Sequence, residues 1–168
     1  PKGPLNVRLA GEVGLSMVPA FAEPVVEAAG VLGVDLHVAG VIDNPVIKGS
    51  VIVKQPVGVQ LRDLPGREIL IQSGLVRIDR DRIFIPASSP FAGRFDEGTS
   101  SVSGSVGLKD TALWDADIAV RARGVEWRHS PLGLSVTADA DVRLEGHSLS
   151  DESQRSLVLS GQVDVQEG

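Results

Sequence analysis

Hydrophobic and polar residues alternate along this chain with a period of two. From Leu132 to Gly146, "LGLSVTADADVRLEG", the positions Leu132, Leu134, Val136, Ala138, Ala140, Val142 and Leu144 interleave with Ser135, Thr137, Asp139, Asp141, Arg143 and Glu145. Successive side chains of an extended backbone point to opposite faces, so this pattern predicts a strand with one aliphatic and one polar face. The same phase runs through Leu36 and Val38, Val51 and Val53, Ile69 and Ile71, Ile83 and Ile85, Val102 and Val106, and Ile118 and Val120. It ends in Leu157, Leu159 and Val163. Turn-forming clusters separate the runs: Asp43-Asn44-Pro45, Leu64-Pro65-Gly66, Asp79-Arg80-Asp81, Lys109-Asp110, and the polar stretch from His147 to Gln154. The prediction is a mainly β chain, a long antiparallel meander forming a single β-rich domain over residues 1–168.

Two features refine that prediction. At about 3.3 Å per residue the run from Leu132 to Gly146 would extend roughly 50 Å, so a bend or bulge is expected inside it. Glycine recurs inside strand-like segments, at Gly11, Gly104 and Gly107 among others, which predicts a sheet that curves in a regular way. The segments near Leu5 to Val13 and Leu157 to Val165 become the edges of the sheet, with unpaired backbone that favours edge-to-edge self-association.

One stretch departs from the rhythm. "GLSMVPAFAEPVVEAAG", Gly14 to Gly30, offers Ser16 as a cap, Pro19 in a first turn and Gly30 as a stop, which predicts a short helical segment over residues 16–30. Pro24 predicts a kink near Glu23, with Met17, Phe21, Val25 and Val26 turned toward the sheet.

Composition removes several classes of function. The formal net charge of −6 opposes a nucleic-acid partner, whose binding draws on clustered Lys and Arg. There is no cysteine, hence no disulfide and no thiolate nucleophile. The longest apolar region, Leu15 to Leu36, is interrupted by Pro19, Glu23, Pro24, Glu27 and Asp35 and falls short of a membrane-spanning helix. With Pro1 in place of an initiator methionine, the chain reads as an excised segment of a longer repetitive protein.

Candidate chemistry is sparse. His37, His129 and His147 lack neighbouring ligands at metal-binding spacing. The pairs Asp79/Asp81, Asp115/Asp117 and Asp139/Asp141 project from one strand face, and the phase of the last two puts them on the polar face, where solubility and edge protection explain them. No nucleophile elbow, dinucleotide fingerprint or P-loop occurs, so neither enzymatic activity nor a cofactor is expected. Trp114 and Trp127 read as packing or rim residues.

The spacing G-x-x-x-N-P-x-x-x-G at Gly40, Asn44, Pro45 and Gly49, set between alternating strands, resembles the repeating grammar of the TamB family, which is related to AsmA-like and bridge-like lipid-transfer proteins. "ILIQSGLVRIDRDRIFI" and "SSVSGSVGLKDTALWDADIAVRARGVEW" continue the same grammar of strand, polar hairpin and Gly-containing strand. The resemblance implies a periplasmic location within an inner-membrane-anchored cell-envelope protein that meets an outer-membrane partner of the Omp85 type, TamA, through parts of the parent chain not present here. It further implies a sheet curled into a U-shaped trough whose aliphatic lining holds phospholipid acyl chains, with transport of lipid between membranes and outer-membrane protein assembly as the function.

Elementary physics points the same way. An aliphatic face must be covered by another layer, closed into a barrel, or used to bind something apolar. The rival reading is a structural or adhesive β-sandwich whose aliphatic face is a closed core without a lipid ligand.

Overall fold

The computed structural model describes residues 4–20, 23–42, 44–63, 67–95, 97–109, 112–129, 134–147 and 156–167. Within these lie β1 (Pro4–Gly14), a 3₁₀ turn (Leu15–Ala20), β2 (Val25–Val41), β3 (Asn44–Leu61), β4 (Glu68–Ser73) and β5 (Leu75–Asp79). There follow β6 (Arg82–Ile85), β7 (Phe91–Phe95), β8 (Gly98–Lys109), β9 (Ala112–His129), β10 (Leu134–His147) and β11 (Ser156–Glu167). All eleven strands belong to one antiparallel sheet, as the period of two predicts.

The topology is a meander in which two of the long strands are interrupted. β4 and β5 both run along β3, through Val57 opposite Ile71 and Val51 opposite Val76. Between them the Val53 amide donates to the Gly74 carbonyl at 3.0 Å and keeps the ladder nearly continuous. In the same manner β6 and β7 both run along β8, through Ile83 opposite Val106 and Phe91 opposite Val102. The β5–β6 hairpin turns at Arg80, whose φ of 60° is the left-handed conformation a tight turn requires. The predicted corners at Asp43, Leu64-Pro65-Gly66, Asp110 and 148–154 fall outside the described residues. The β9–β10 register shifts between Ala138 and Ala140, where Asp139 stands against both Arg123 and Gly124, so the extra residue lies in β9, whereas β10, in which the irregularity was expected, keeps an unbroken register with β11.

The segment from Ser16 to Gly30 corrects the sequence reading. Among the described residues of this segment only Leu15–Ala20 is helical, as a 3₁₀ turn containing Pro19, and β2 begins at Val25. Pro24 has no amide to donate back to residue 20, and the β-branched pair Val25-Val26 favours an extended backbone. The Pro24 carbonyl instead accepts the Arg62 amide at 2.9 Å and starts the β2–β3 ladder. Gly30 does not end a helix. It sits within β2 at φ 113°, where an added Cβ would press on the backbone of Pro56 and Val57. Met17 and Val26 are exposed and do not pack on the sheet; Phe21 lies outside the described residues.

A single sheet leaves little interior. Among the described residues only Ala28, Val57 and Ala116 are buried hydrophobics, and no side chain is fully enclosed. The accessible surface is 11245 Å², whereas a closed globular chain of this mass would expose about 7,900 Å².

Candidate apolar binding face

Residues opposite each other in an antiparallel pair share a face, so the registers place each aliphatic position. In the β8–β9–β10–β11 region Val102 lies opposite Val120, Val120 opposite Val142, Ile118 opposite Leu144, and Leu144 opposite Leu159. Val106 lies opposite Ala116, Leu157 opposite Gly146 and Val163 opposite Ala140, and Val136 keeps that phase in β10. Across the interrupted strands Ile83 and Ile85 meet Val106 and Gly104, and Ile69 and Ile71 meet Phe95 and Gly93. On the far side Leu36 and Val38 face Gly49 and Ile47, and Val51 and Val53 face Val34 and Leu32. The sequence-predicted positions therefore fall on one face of one sheet. Leu134 pairs opposite His129 by backbone register, and its side chain is outside the described residues.

The register adds positions that the candidate set omits. Val7 and Leu9 extend the face through β1 opposite Val38 and Leu36, Val57 and Val59 through β3, Val76 and Ile78 through β5, and Phe91 and Phe95 through β7. Period two marks β1 and β3 in the sequence. In β5 and β7 the runs are too short to reveal their phase, and only the pairing assigns it.

The aliphatic face is not uniform. Val57 in β3 is 4% exposed, whereas Leu159 and Val163 in the edge strand β11 are 70% and 56% exposed. Central strands shade one another's side chains from both sides, whereas among the described residues β11 has a neighbouring strand, β10, on one side alone. Burial at roughly 25 cal/mol per Å² makes these edge positions the ones with most to gain from an apolar ligand.

The opposite face is a lattice of ion pairs that spans neighbouring strands. Arg143 donates through Nε and Nη2 to the Asp117 carboxylate at 2.8 and 2.7 Å and also lies 3.1 Å from Glu145. Arg121 and Arg123 converge on Asp141 at 3.0 and 2.7 Å, Arg82 reaches Asp115 at 3.1 Å, Lys48 reaches Asp79 at 3.0 Å, and Arg8 grips Asp35 through two bonds of 3.1 Å. Asp139 accepts the Gly124 amide at 2.7 Å beside the β9–β10 irregularity. His37 Nε2 shares a hydrogen bond of 2.8 Å with Asn6. The hydrogen bond from Arg143 holds the Asp117 carboxyl below its ordinary range; Arg123, then Arg121, do the same for Asp141, and Arg8 for Asp35. The paired Arg8, Arg123 and Arg143 are correspondingly raised.

Concavities of about 510 and 450 Å³ lie on this polar side, the first between Asn6, Arg8, Asp35, His37 and Lys48, the second between Asp117, Arg121, Asp141 and Arg143. They are open gaps among exposed, already paired side chains, and the second also touches Ile85 and Val142 of the aliphatic strands. At the end of β8 the Lys109 ammonium stands 4.2 Å from the Trp114 ring centroid, a cation–π contact that places Trp114 at the rim of the sheet. The side chains of Trp127 and His129 are outside the described residues.

Glycines permit close strand approach. At Gly49 and Gly104, with φ of 146° and 137°, an added Cβ would collide with the backbone of Asp35 and Asp117 respectively. Each lies opposite a bulky aliphatic residue, Leu36 or Ile118. A side chain at either position would have to push two strands apart. No family model, curated protein or solved structure matches the chain.

Proposed function

We propose that this chain is a lipid-sheltering segment of a cell-envelope protein, in which the aliphatic face curls into a U-shaped trough that takes phospholipid acyl chains. The observation that supports the reading is one aliphatic face, continuous from β1 to β11, in a single-layered sheet that buries only three hydrophobic residues among those described. Each acyl methylene moved from water onto such a surface contributes up to about 0.8 kcal/mol, so a chain of ordinary lipid length gains enough to be carried through an aqueous space. Apart from the Arg67 guanidinium, which stands 5.5 Å from the Phe95 ring centroid, the described part of the face is uncharged and largely aliphatic or aromatic, so selection acts mainly on the tails. The resemblance of the Gly40–Gly49 spacing to the TamB family supports a periplasmic site, lipid movement between the membranes and an outer-membrane partner of the TamA kind. The rival, a sandwich with a closed core, needs a second facing sheet, and the described strands form one.

The test is native mass spectrometry of the protein purified from a bacterial envelope without delipidation. The reading expects phospholipid or fatty acid at defined stoichiometry, displaced by a competing alkyl ligand. A protein that emerges lipid-free and takes up no acyl ligand overturns it.

A further inference from the structure

Among the described residues Arg67 is the charge that stands on the aliphatic face. It precedes Ile69 by two positions, and its half-buried side chain sets the guanidinium 5.5 Å from the ring centroid of Phe95, the residue opposite Ile69. Its Nη1 donates to the Glu126 main-chain carbonyl at 3.4 Å. On the reverse of the sheet Arg82, Arg121 and Arg143 serve the ion-pair lattice. Arg67 is turned to the other side, where withdrawing a cation from water carries a cost.

An apolar lane leads away from this arginine. Ile69 and Ile71 continue its phase along β4, and Val76 and Ile78 carry the lane on along β5. β7 fills the break between these strands, since the Phe91 ring occupies the space that a side chain at Gly74 would need. Opposite Ile71, Gly93 leaves a gap between Phe91 and Phe95. At about 3.3 Å per residue the lane from Arg67 to Ile78 runs roughly 36 Å. That exceeds the roughly 30 Å of a bilayer core, which two acyl chains fill end to end, so one tail fits with its head at Arg67.

We infer that Arg67 determines the ligand class of this face, which takes an anionic amphiphile with its tail along β4 and β5 and a carboxylate or phosphate oxyanion at the guanidinium. The inference rests on the acyl-binding reading above and narrows it. A guanidinium carries its N–H donors in a planar fork that serves several acceptors at once and matches the paired oxygens of an oxyanion. The Phe95 ring and the Glu126 carbonyl hold that fork at the end of the lane, partly shielded from water, where charge-assisted bonds are stronger than in bulk solvent. The chain as a whole, at a net charge of −6, repels anions. A preference for an anionic head therefore reports a local cation. The other role open to such a residue is a tie between the start of β4 and β9, which would support stability and leave headgroup preference unchanged.

Dodecanoate, dodecyl phosphate and dodecanol, kept below micelle formation and competed at neutral pH against a fluorescent alkyl probe on the folded chain, separate head from tail. At least one of the two anions is expected to bind about tenfold more tightly than the alcohol, and the better anion distinguishes a fatty acid from a phospholipid headgroup. Arg67→Gln should bring that ratio to about one with dodecanol affinity unchanged. Arg67→Lys, which keeps the charge without the fork, should fall between. Arg94→Gln, on the polar face opposite Thr99, should leave the ratio as it was. Circular dichroism melts report the fold of each variant; where Arg67→Gln lowers the melt, the ratio of the unmodified chain and its fall in Arg67→Lys decide the question. Equal affinity for all three ligands, or an anion preference that survives Arg67→Gln, overturns the inference and leaves the acyl-binding reading standing. Binding of none of the three by the unmodified chain overturns both.

Discussion

The two faces of β9 and β10 share a backbone and differ in almost everything else. On one, Ile118, Val120, Val142 and Leu144 oppose each other without a polar atom; on the other, Asp117, Arg121, Asp141 and Arg143 are tied into ion pairs. The polar face largely satisfies itself: Asp117, Arg121, Arg123, Asp141 and Arg143 each meet a charged partner from a neighbouring strand. The aliphatic face cannot do so, because apolar surface is stabilised only by leaving water. A single sheet that settles one face internally and leaves the other with partly accessible aliphatics places its capacity for binding on the second. This contrast teaches that clustered charge, an ordinary marker of a site, here marks the self-sufficient side.

Breaking the geometry that both faces depend on should have the largest effect. Gly104→Val adds apolar surface, yet forces a β-branched residue into a positive φ and into the backbone of Asp117. It is expected to cost about 3 kcal/mol or more, read by chemical denaturation, and to disrupt both faces together. A Gly104→Val protein of unchanged stability would show that the close approach is unimportant.

Next in size is a charge on the aliphatic face. Val142→Glu asks a carboxylate to enter an apolar path at a desolvation cost of several kcal/mol, and should abolish acyl-ligand uptake. The equivalent change one position along, Arg143→Gln, removes a pair on the polar face and should leave uptake intact. Val57→Ala tests the face where it is best covered: its side chain is 4% exposed, and its truncation should cost about 1–3 kcal/mol by urea unfolding.

The smallest effect belongs to the ion pairs, whose members are exposed. Asp35, Asp117 and Asp141 have carboxyl groups lowered in the folded state, so the stability they contribute is present above the ordinary carboxylate range and is lost as pH falls through and below it. Melting should therefore decline only modestly from neutral pH down to about pH 4 and more steeply below, and high salt should flatten the profile. Stability that rises on acidification would contradict the assignment.

The sequence disclosed the fold through its period, and it did so best where strands are long. β10 could be read almost residue by residue, because alternating Asp and Ala leave no second phase for the aliphatics; the irregularity beside it falls in β9, at Arg123 and Gly124. It failed between Ser16 and Gly30, where a cap-like Ser, an early Pro and a terminal Gly imitate a helix. There Pro24 and the Val25-Val26 pair favour strand pairing with β3, and Gly30 answers to the backbone of Pro56 and Val57 across the sheet, a contact no local pattern encodes. Most of the aliphatic face was legible for the same reason as the strands. The contributions of Val76, Ile78, Phe91 and Phe95 were not, since the breaks at Gly74 and between β6 and β7 divide the strands into pieces too short to show a phase. The ion-pair partners were also hidden, because each joins residues far apart in sequence, as Arg8 and Asp35 do.

The central claim is that the aliphatic face, and not its polar reverse, meets lipid. A photo-crosslinking amino acid placed at Val142 or Val120 and, one position on, at Arg143 or Arg121 tests it within one folded protein, with captured lipid read by mass spectrometry. The account predicts lipid adducts from positions 142 and 120 and none above background from 143 and 121. Equal capture from both faces, or none from either in protein that melts normally, would contradict it.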